Sequence, residues 1–293
     1  MQQFKGTGVA LVTPFNNDLS LDLDGLSRVI EYAIEGGVDY LVILGTTAEN
    51  ATLTKSEKQL VIKKSVEVTA GRVPLMLGMG GNNTSHIIQE LKERDLNAFD
   101  GILSVSPYYN RPTQAGIYAH YQAISEASPL PIMVYNVPAR TGSNLFPETV
   151  LKMANDFKNI FGIKEASGDM VQMLRLLQNR TDDLMVVSGD DMLALPTVSA
   201  GGGGVISVIG QGIPKEFTSM INQGLKGELS KSYKTHYGIM PLIDLIFSEG
   251  NPAGIKALLA QKGICNSAVR LPLVAASEDL NEKIATYLKA YSL

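Results

Sequence analysis

The chain has 293 residues, 45% of them apolar, and a formal net charge of −4. It is long and apolar enough for a large core, as one α/β barrel or as two average domains. The absence of any basic block, or of aromatic residues interleaved with basic ones, excludes a nucleic-acid partner, and a single cysteine, Cys265, excludes an internal disulfide framework. The start, Met1-Gln2-Gln3-Phe4-Lys5, lacks an apolar signal core, and no run approaches membrane-spanning length. A soluble, cytoplasmic protein without a membrane partner is therefore expected.

Short apolar runs, each followed by an amphipathic stretch, recur along the chain. Gly8–Val12 comes first, then Tyr40–Leu44. Thr54-Lys55-Ser56-Glu57 follows as a capping box, which opens a helix carrying Leu60, Val61 and Val68. Pro74–Gly78 is the third run, and Asn83-Thr84-Ser85 starts the next helix with Ile87, Ile88 and Leu91. Gly101–Val105 and Pro131–Tyr135 are the fourth and fifth, with Pro147 at a position the first turn of a helix tolerates. Ile160–Ile163, Leu184–Ser188 and Gly203–Ser207 complete eight candidate strands. Runs apolar on both faces point to a parallel sheet covered by helices, and eight of them favour a closed (β/α)8 TIM barrel over an open sheet. From Pro214 onward the sequence reads as helices only. The expected division is a barrel over residues 1–225 and a C-terminal helical extension over 226–293.

In such a barrel, chemistry gathers where strands end. The sixth run ends in Lys164-Glu165-Ala166-Ser167-Gly168-Asp169. An ammonium buried there is disfavoured, and its neutral amine is a nucleophile that forms a Schiff base with a carbonyl. The plainer alternatives are a lysine that reaches solvent or pairs with Glu165. Alternation places Gly162 and Lys164 on one face of their strand, and Met133 and Tyr135 on one face of its neighbour. Tyr135 can then point inward beside Lys164 and shuttle protons, or serve as a core residue with a satisfied hydroxyl. Thr46 and Thr47, after the second run, offer hydroxyls and backbone donors suited to a carboxylate, or a cap for the following helix. Arg140, after the fifth, offers a planar fork for a second carboxylate, or for a surface acid. The Gly201–Gly204 run lacks the Lys-Ser/Thr of a phosphate loop; it suits tight packing and a turn at the barrel mouth. His86, His120 and His236 make no ligand spacing, so no metal site is expected.

Taken together, Gly8-Val9-Ala10-Leu11-Val12-Thr13-Pro14-Phe15, Thr46-Thr47, Pro107-Tyr108-Tyr109-Asn110, Tyr135-Asn136-Val137-Pro138 and Gly162-Ile163-Lys164-Glu165 resemble the dihydrodipicolinate synthase family of pyruvate-dependent class I aldolases. The resemblance runs nearly end to end. It implies Lys164 as the Schiff-base lysine, Tyr135 as the proton-relay tyrosine and Thr47 as the relay threonine. It implies Thr46 and Thr47 as the pyruvate-carboxylate site, and Arg140 as the partner of the L-aspartate 4-semialdehyde carboxylate. Gly189 and Ile206 would line the pyruvate pocket, and Tyr109 would enter the site of a neighbouring subunit. A homodimer or homotetramer follows. No cofactor is implied beyond the covalent pyruvate imine. Two departures stand out. Ala48 replaces the usual glycine after the threonines. In the cleft where lysine inhibits some members, Lys55 and Lys58 stand in place of histidines and His86 in place of a glutamate, while Asn82 and Tyr108 match. Weak or absent lysine feedback is therefore expected. A sister aldolase acting on N-acetylneuraminate or 2-keto-3-deoxy sugar acids shares the lysine, tyrosine and threonine motif, but generally lacks the arginine. A non-catalytic barrel that binds pyruvate without turnover is the other alternative; loss of the lysine or tyrosine would have marked it, and both are present.

Overall fold

A computed structural model describes residues 1–291. Eight parallel strands close into a barrel in sequence order: β1 (Gly6–Ala10), β2 (Tyr40–Ile43), β3 (Leu75–Gly78), β4 (Gly101–Val105), β5 (Ile132–Asn136), β6 (Ile160–Glu165), β7 (Met185–Ser188) and β8 (Gly204–Ser207). Around them run α1 (Leu23–Glu35), α2 (Lys55–Thr69), α3 (Thr84–Glu93), α4 (Gln114–Ala127), a short α5 (Pro138–Thr141), α6 (Pro147–Asp156), α7 (Met170–Asn179) and a short α8 (Ala194–Ser199). After β8 come α9 (Pro214–Leu225), α10 (Leu229–Ser248), α11 (Ala253–Gln261) and α12 (Glu278–Tyr291). The fold is the expected TIM barrel with helices beyond it. Among the described residues no helix is long and apolar enough to cross a membrane.

The helix starts follow their signals. Thr54 and Glu57 form the reciprocal capping box of α2, Asn83 accepts from His86 N–H at the start of α3, and Pro147 occupies the first turn of α6. The first strand begins and ends two residues before its apolar run, because burial continues past the ladder: after Ala10, Leu11 N–H still reaches Val42 O at 3.1 Å, while the chain turns toward the mouth.

Alternation splits the strand residues into two cores. Leu41, Leu77, Ile102, Val134, Ile163, Val186 and Val205 face outward onto the helices. Tyr40, Val42, Met76, Leu103, Met133, Tyr135, Val187 and Ile206 fill the interior. One bulge resets this pattern. Ile132 pairs with Ile160, but Met133 pairs with Gly162 and Tyr135 with Lys164, so Phe161 is an extra residue. Phe161 turns into the barrel and stacks on Phe4 at 5.4 Å, and Phe4 meets Tyr40 edge-on at 5.2 Å. These three rings seal the floor. Without the extra residue, Lys164 would fall on the helix face.

The glycine run corrects the expectation. It precedes β8 and therefore lies at the floor, not the mouth. Gly204 has φ +146°, and a Cβ there would sit 1.9 Å from Gly6 O on the paired strand, so only glycine lets β1 and β8 close the barrel. The expected border at 225/226 falls between α9 and α10. α9 packs on β1 as the eighth barrel helix. Leu242, Ile243 and Ile246 of α10, Leu258 of α11 and Leu288 of α12 join the same apolar cluster as the barrel's helix layer.

Candidate active site

Lys164, the fifth residue of β6, is 5% exposed and points into the mouth. Its Nζ lies 4.3 Å from the centre of the Tyr135 ring on the adjoining strand. Burial brings its pKa down to about 8; the nearby Asp191 carboxylate pulls it up, and the Arg140 guanidinium pushes it further down. Glu165 is not its partner. That carboxylate faces the other way and is taken up by Asn136 Nδ2, Gln172 Nε2 at 2.9 Å and Ser167 N–H at 2.7 Å. Glu165 thereby ties β5 and β6 to the start of α7 and leaves the lysine beside a phenol. Burial raises the pKa of Tyr135, while Arg140 and a polar contact from the Thr46 side chain pull it down.

The two threonines do different things. They sit on the single 3-10 turn Thr46–Ala48, where each residue advances a third of a turn, so consecutive side chains cannot face the same way. Thr46 is exposed at the mouth and is the one that helps lower the pKa of Tyr135. Thr47, given the relay role on sequence grounds, is buried, and its Oγ1 accepts from Asn251 Nδ2 at 2.9 Å. Ala48 is buried in this turn and is not among the positive-φ residues, so it stands there without backbone strain. Arg140, on α5, is exposed at the mouth and pairs with no carboxylate among the described residues. Gly189 supplies room for the lysine: a Cβ there would lie 2.8 Å from Lys164 Cε and 2.6 Å from Ala166 Cβ. Ile206 is fully buried in the inner core with Val187 and Tyr135.

Sequence reasoning missed Asp191. It is 1% exposed, and its carboxylate accepts from Val208 N–H at 3.1 Å and Ile209 N–H at 2.9 Å. Burial raises its pKa to about 6, against the hydrogen bonds from Ser207, Ile209 and Val208. Its signal was its place two residues after Gly189 at the end of the seventh strand. Asn251 carried no such signal, since it lies on no strand end.

Tyr109 projects from the loop after β4. It is 88% exposed with φ 70°, and Arg111 nearby has φ 44°. Two left-handed non-glycine residues in one loop store strain that only a held conformation retains. Asn82 Nδ2 donates to Tyr108 O, and Asn110 Nδ2 to Asn82 O, each at 3.1 Å. The five residues of the expected regulatory cleft lie on α2, the loop after β3, α3 and the loop after β4. Asn82 and Tyr108 touch. Lys55 reaches Glu93 at 3.7 Å, about 10 Å along α3 from His86 at the rise of a helix. Lys58 is partly desolvated, which lowers its pKa, with Glu90 opposing and Arg94 adding to the effect.

A profile of the dihydrodipicolinate synthetase family matches residues 3–291. The chain is 54% identical over 292 residues to a 4-hydroxy-tetrahydrodipicolinate synthase of Flavobacterium psychrophilum, covering 100% of both chains. It is similar in structure to a dihydrodipicolinate synthase of Thermotoga maritima, with a TM-score of 0.96 and 40% identity over 99% of each chain. It is equally similar to a monomeric dihydrodipicolinate synthase variant, with a TM-score of 0.96 and 40% identity over 99% of this chain and 98% of that one.

Proposed function

The chain belongs to the dihydrodipicolinate synthetase family, and from that premise we infer how its mouth residues carry out the reaction. The protein is a lyase that condenses pyruvate with L-aspartate 4-semialdehyde to give 4-hydroxy-tetrahydrodipicolinate, in the diaminopimelate route of lysine biosynthesis. The observation that carries the assignment of roles is the buried amine of Lys164, 4.3 Å from the Tyr135 ring, with its pKa brought down to about 8.

Neutral Lys164 attacks C2 of pyruvate, and the C2 oxygen leaves as water after taking up protons. The imine loses a proton from C3 and becomes an enamine. C3 attacks the aldehyde carbon, and the aldehyde oxygen takes a proton to become a hydroxyl. The α-amino nitrogen of the second substrate then attacks C2, the C2–Nζ bond breaks, and the free lysine returns with release of the ring. The imine holds the electron pair throughout, so the chemistry calls for no cofactor. Tyr135 moves the protons of imine formation and release. The exposed Thr46 hydroxyl, which favours the ionised form of that phenol, is the relay partner in place of Thr47. The first N–H groups of the 3-10 turn and the Thr47 hydroxyl hold the pyruvate carboxylate. Arg140 holds the carboxylate of the semialdehyde. Gly189 and Ile206 shape the pocket around the methyl end of pyruvate.

The active unit is at least a dimer. What supports this is Tyr109, a large aromatic presented to solvent on a strained loop at the mouth of its own barrel. In the dimer it enters the partner's mouth and extends the relay.

The test is product formation from the two substrates, with Lys164→Ala as control. Turnover should vanish in the variant, and borohydride should trap pyruvate on the intact enzyme only. Residual turnover in Lys164→Ala would sink the assignment.

A further inference from the structure

A three-residue turn cannot fix a threonine by itself. Thr46–Ala48 is closed by Ala48 N–H to Gly45 O at 3.2 Å and Glu49 N–H to Thr46 O at 3.1 Å. Thr13 Oγ1, in the loop after β1, donates to Ala48 O at 2.7 Å, and the other restraints arrive from more than 200 residues away. Asn251, between α10 and α11, donates Nδ2–H to Thr47 Oγ1. Glu49, buried and left-handed at φ 53°, accepts from Lys256 Nζ on α11 at 2.5 Å and from Arg270 N–H at 2.9 Å. Lys256 also donates to Ala268 O at 2.8 Å and sits 4.2 Å from the centre of the Phe15 ring. Both charges of the Glu49–Lys256 pair are essentially unexposed, at 1% and 0%. Replacing a buried ion pair of this kind by well-packed apolar side chains is often neutral or stabilising. What the polar set supplies instead is a position for the turn.

We propose that Asn251 is a positioning residue for pyruvate, acting through Thr47. A hydroxyl has one hydrogen and two lone pairs. The Asn251 amide nitrogen has only hydrogens to offer, so it occupies a lone pair of Thr47 Oγ1 and leaves the hydroxyl hydrogen to point elsewhere. In the proposal that hydrogen goes to the pyruvate carboxylate, beside the turn's N–H groups. Asn251 Oδ1 has no partner among the described residues although the side chain is 9% exposed. The proposal rests on the carboxylate placement given above.

The test follows borohydride trapping of pyruvate on Lys164 as pyruvate is varied, which needs no second substrate. Asn251→Ala should raise the half-saturating pyruvate concentration about tenfold, as loss of one hydrogen bond to a charged group does. Labelling at saturating pyruvate should stay within about twofold of the intact enzyme, as for lost ground-state binding. Thr47→Val should weaken pyruvate similarly, and the double variant should be no worse than Thr47→Val alone. Asn251→Asp keeps the shape but turns the donor into an acceptor. It should weaken pyruvate at least as much as alanine does, and it stands in if the alanine variant does not fold. Effects that multiply in the double variant, or an unchanged half-saturation in Asn251→Asp, would overturn the proposal alone. Normal pyruvate binding by Thr47→Val would overturn the carboxylate placement and the proposal with it. No trapping by the intact enzyme would overturn the reaction assigned to the family member.

Discussion

Lys164 is buried beside a phenol, and burial outweighs the pull of the Asp191 carboxylate on its charge. The attacking form is the neutral amine. With a pKa near 8, the rate of imine formation should rise about tenfold per pH unit below that value and level off above it. An ordinary lysine would level off only above pH 10. Asp191, ionised above about pH 6, stabilises the ammonium. Asp191→Asn removes that charge, so the break in the trapping-rate profile should move to lower pH; a move to higher pH would refute the coupling. Arg140→Ala should raise KM for the semialdehyde well beyond any change in KM for pyruvate, in steady-state kinetics with each substrate varied. Equal changes would remove Arg140 from its role. Lys164 and Tyr135 were legible in the sequence because both sit in strands, where a period of two tells which way a side chain points. The division of labour between Thr46 and Thr47 was not, because they sit on a 3-10 turn, whose onset depends on the surrounding chain. Asp191 stood at the end of the seventh strand, but its place near Lys164 was not readable, because it depends on how three neighbouring strand ends converge.

At the scale of the elements, β6 and the loop after β7 meet at Gly189. Alanine there would drive a methyl into Lys164 Cε. A displacement of about 1 Å at a reacting atom costs on the order of 100-fold in rate. Gly189→Ala should therefore lose most of its trapping rate while its circular dichroism spectrum stays that of the intact enzyme. Near-normal trapping would show that the lysine has room to move aside. All eight strands and the capped helices α2 and α3 were readable from apolar runs and caps. The Phe161 bulge was not, since a bulge is a mismatch between two strands and each sequence alone looks regular. The glycine run was placed at the wrong end of the barrel for a related reason: composition says that a backbone must come close, not which backbone it meets.

For the whole molecule, two predictions concern assembly and control. Tyr109→Ala should lower turnover on the order of 100-fold, the range of a lost proton-transfer contribution, and wild-type enzyme diluted to monomer should lose activity alike. A monomer with full activity, by light scattering at the assay concentration, would refute the shared site. On the cleft that the family resemblance implies, Lys55 and Lys58 would put positive charge, and His86 would remove the acid, where a cationic ligand needs a carboxylate. Millimolar lysine should therefore leave turnover within about twofold; strong inhibition would show that the cleft still closes around it. The helices after residue 225 were legible as helices, but their hold on the second strand's loop was not, because contacts across more than 200 residues leave no local pattern. The floor closed by Phe4, Tyr40 and Phe161 has a consequence for traffic. With one end shut, everything arrives and departs by the same doorway, and the lysine stands at its inner end. Pyruvate must go in first, its water must come out past whatever waits behind, and an early-arriving aldehyde blocks the way. Ordered kinetics, with the aldehyde competing against pyruvate at high concentration, are thus written into three aromatic rings on the side of the barrel away from the chemistry.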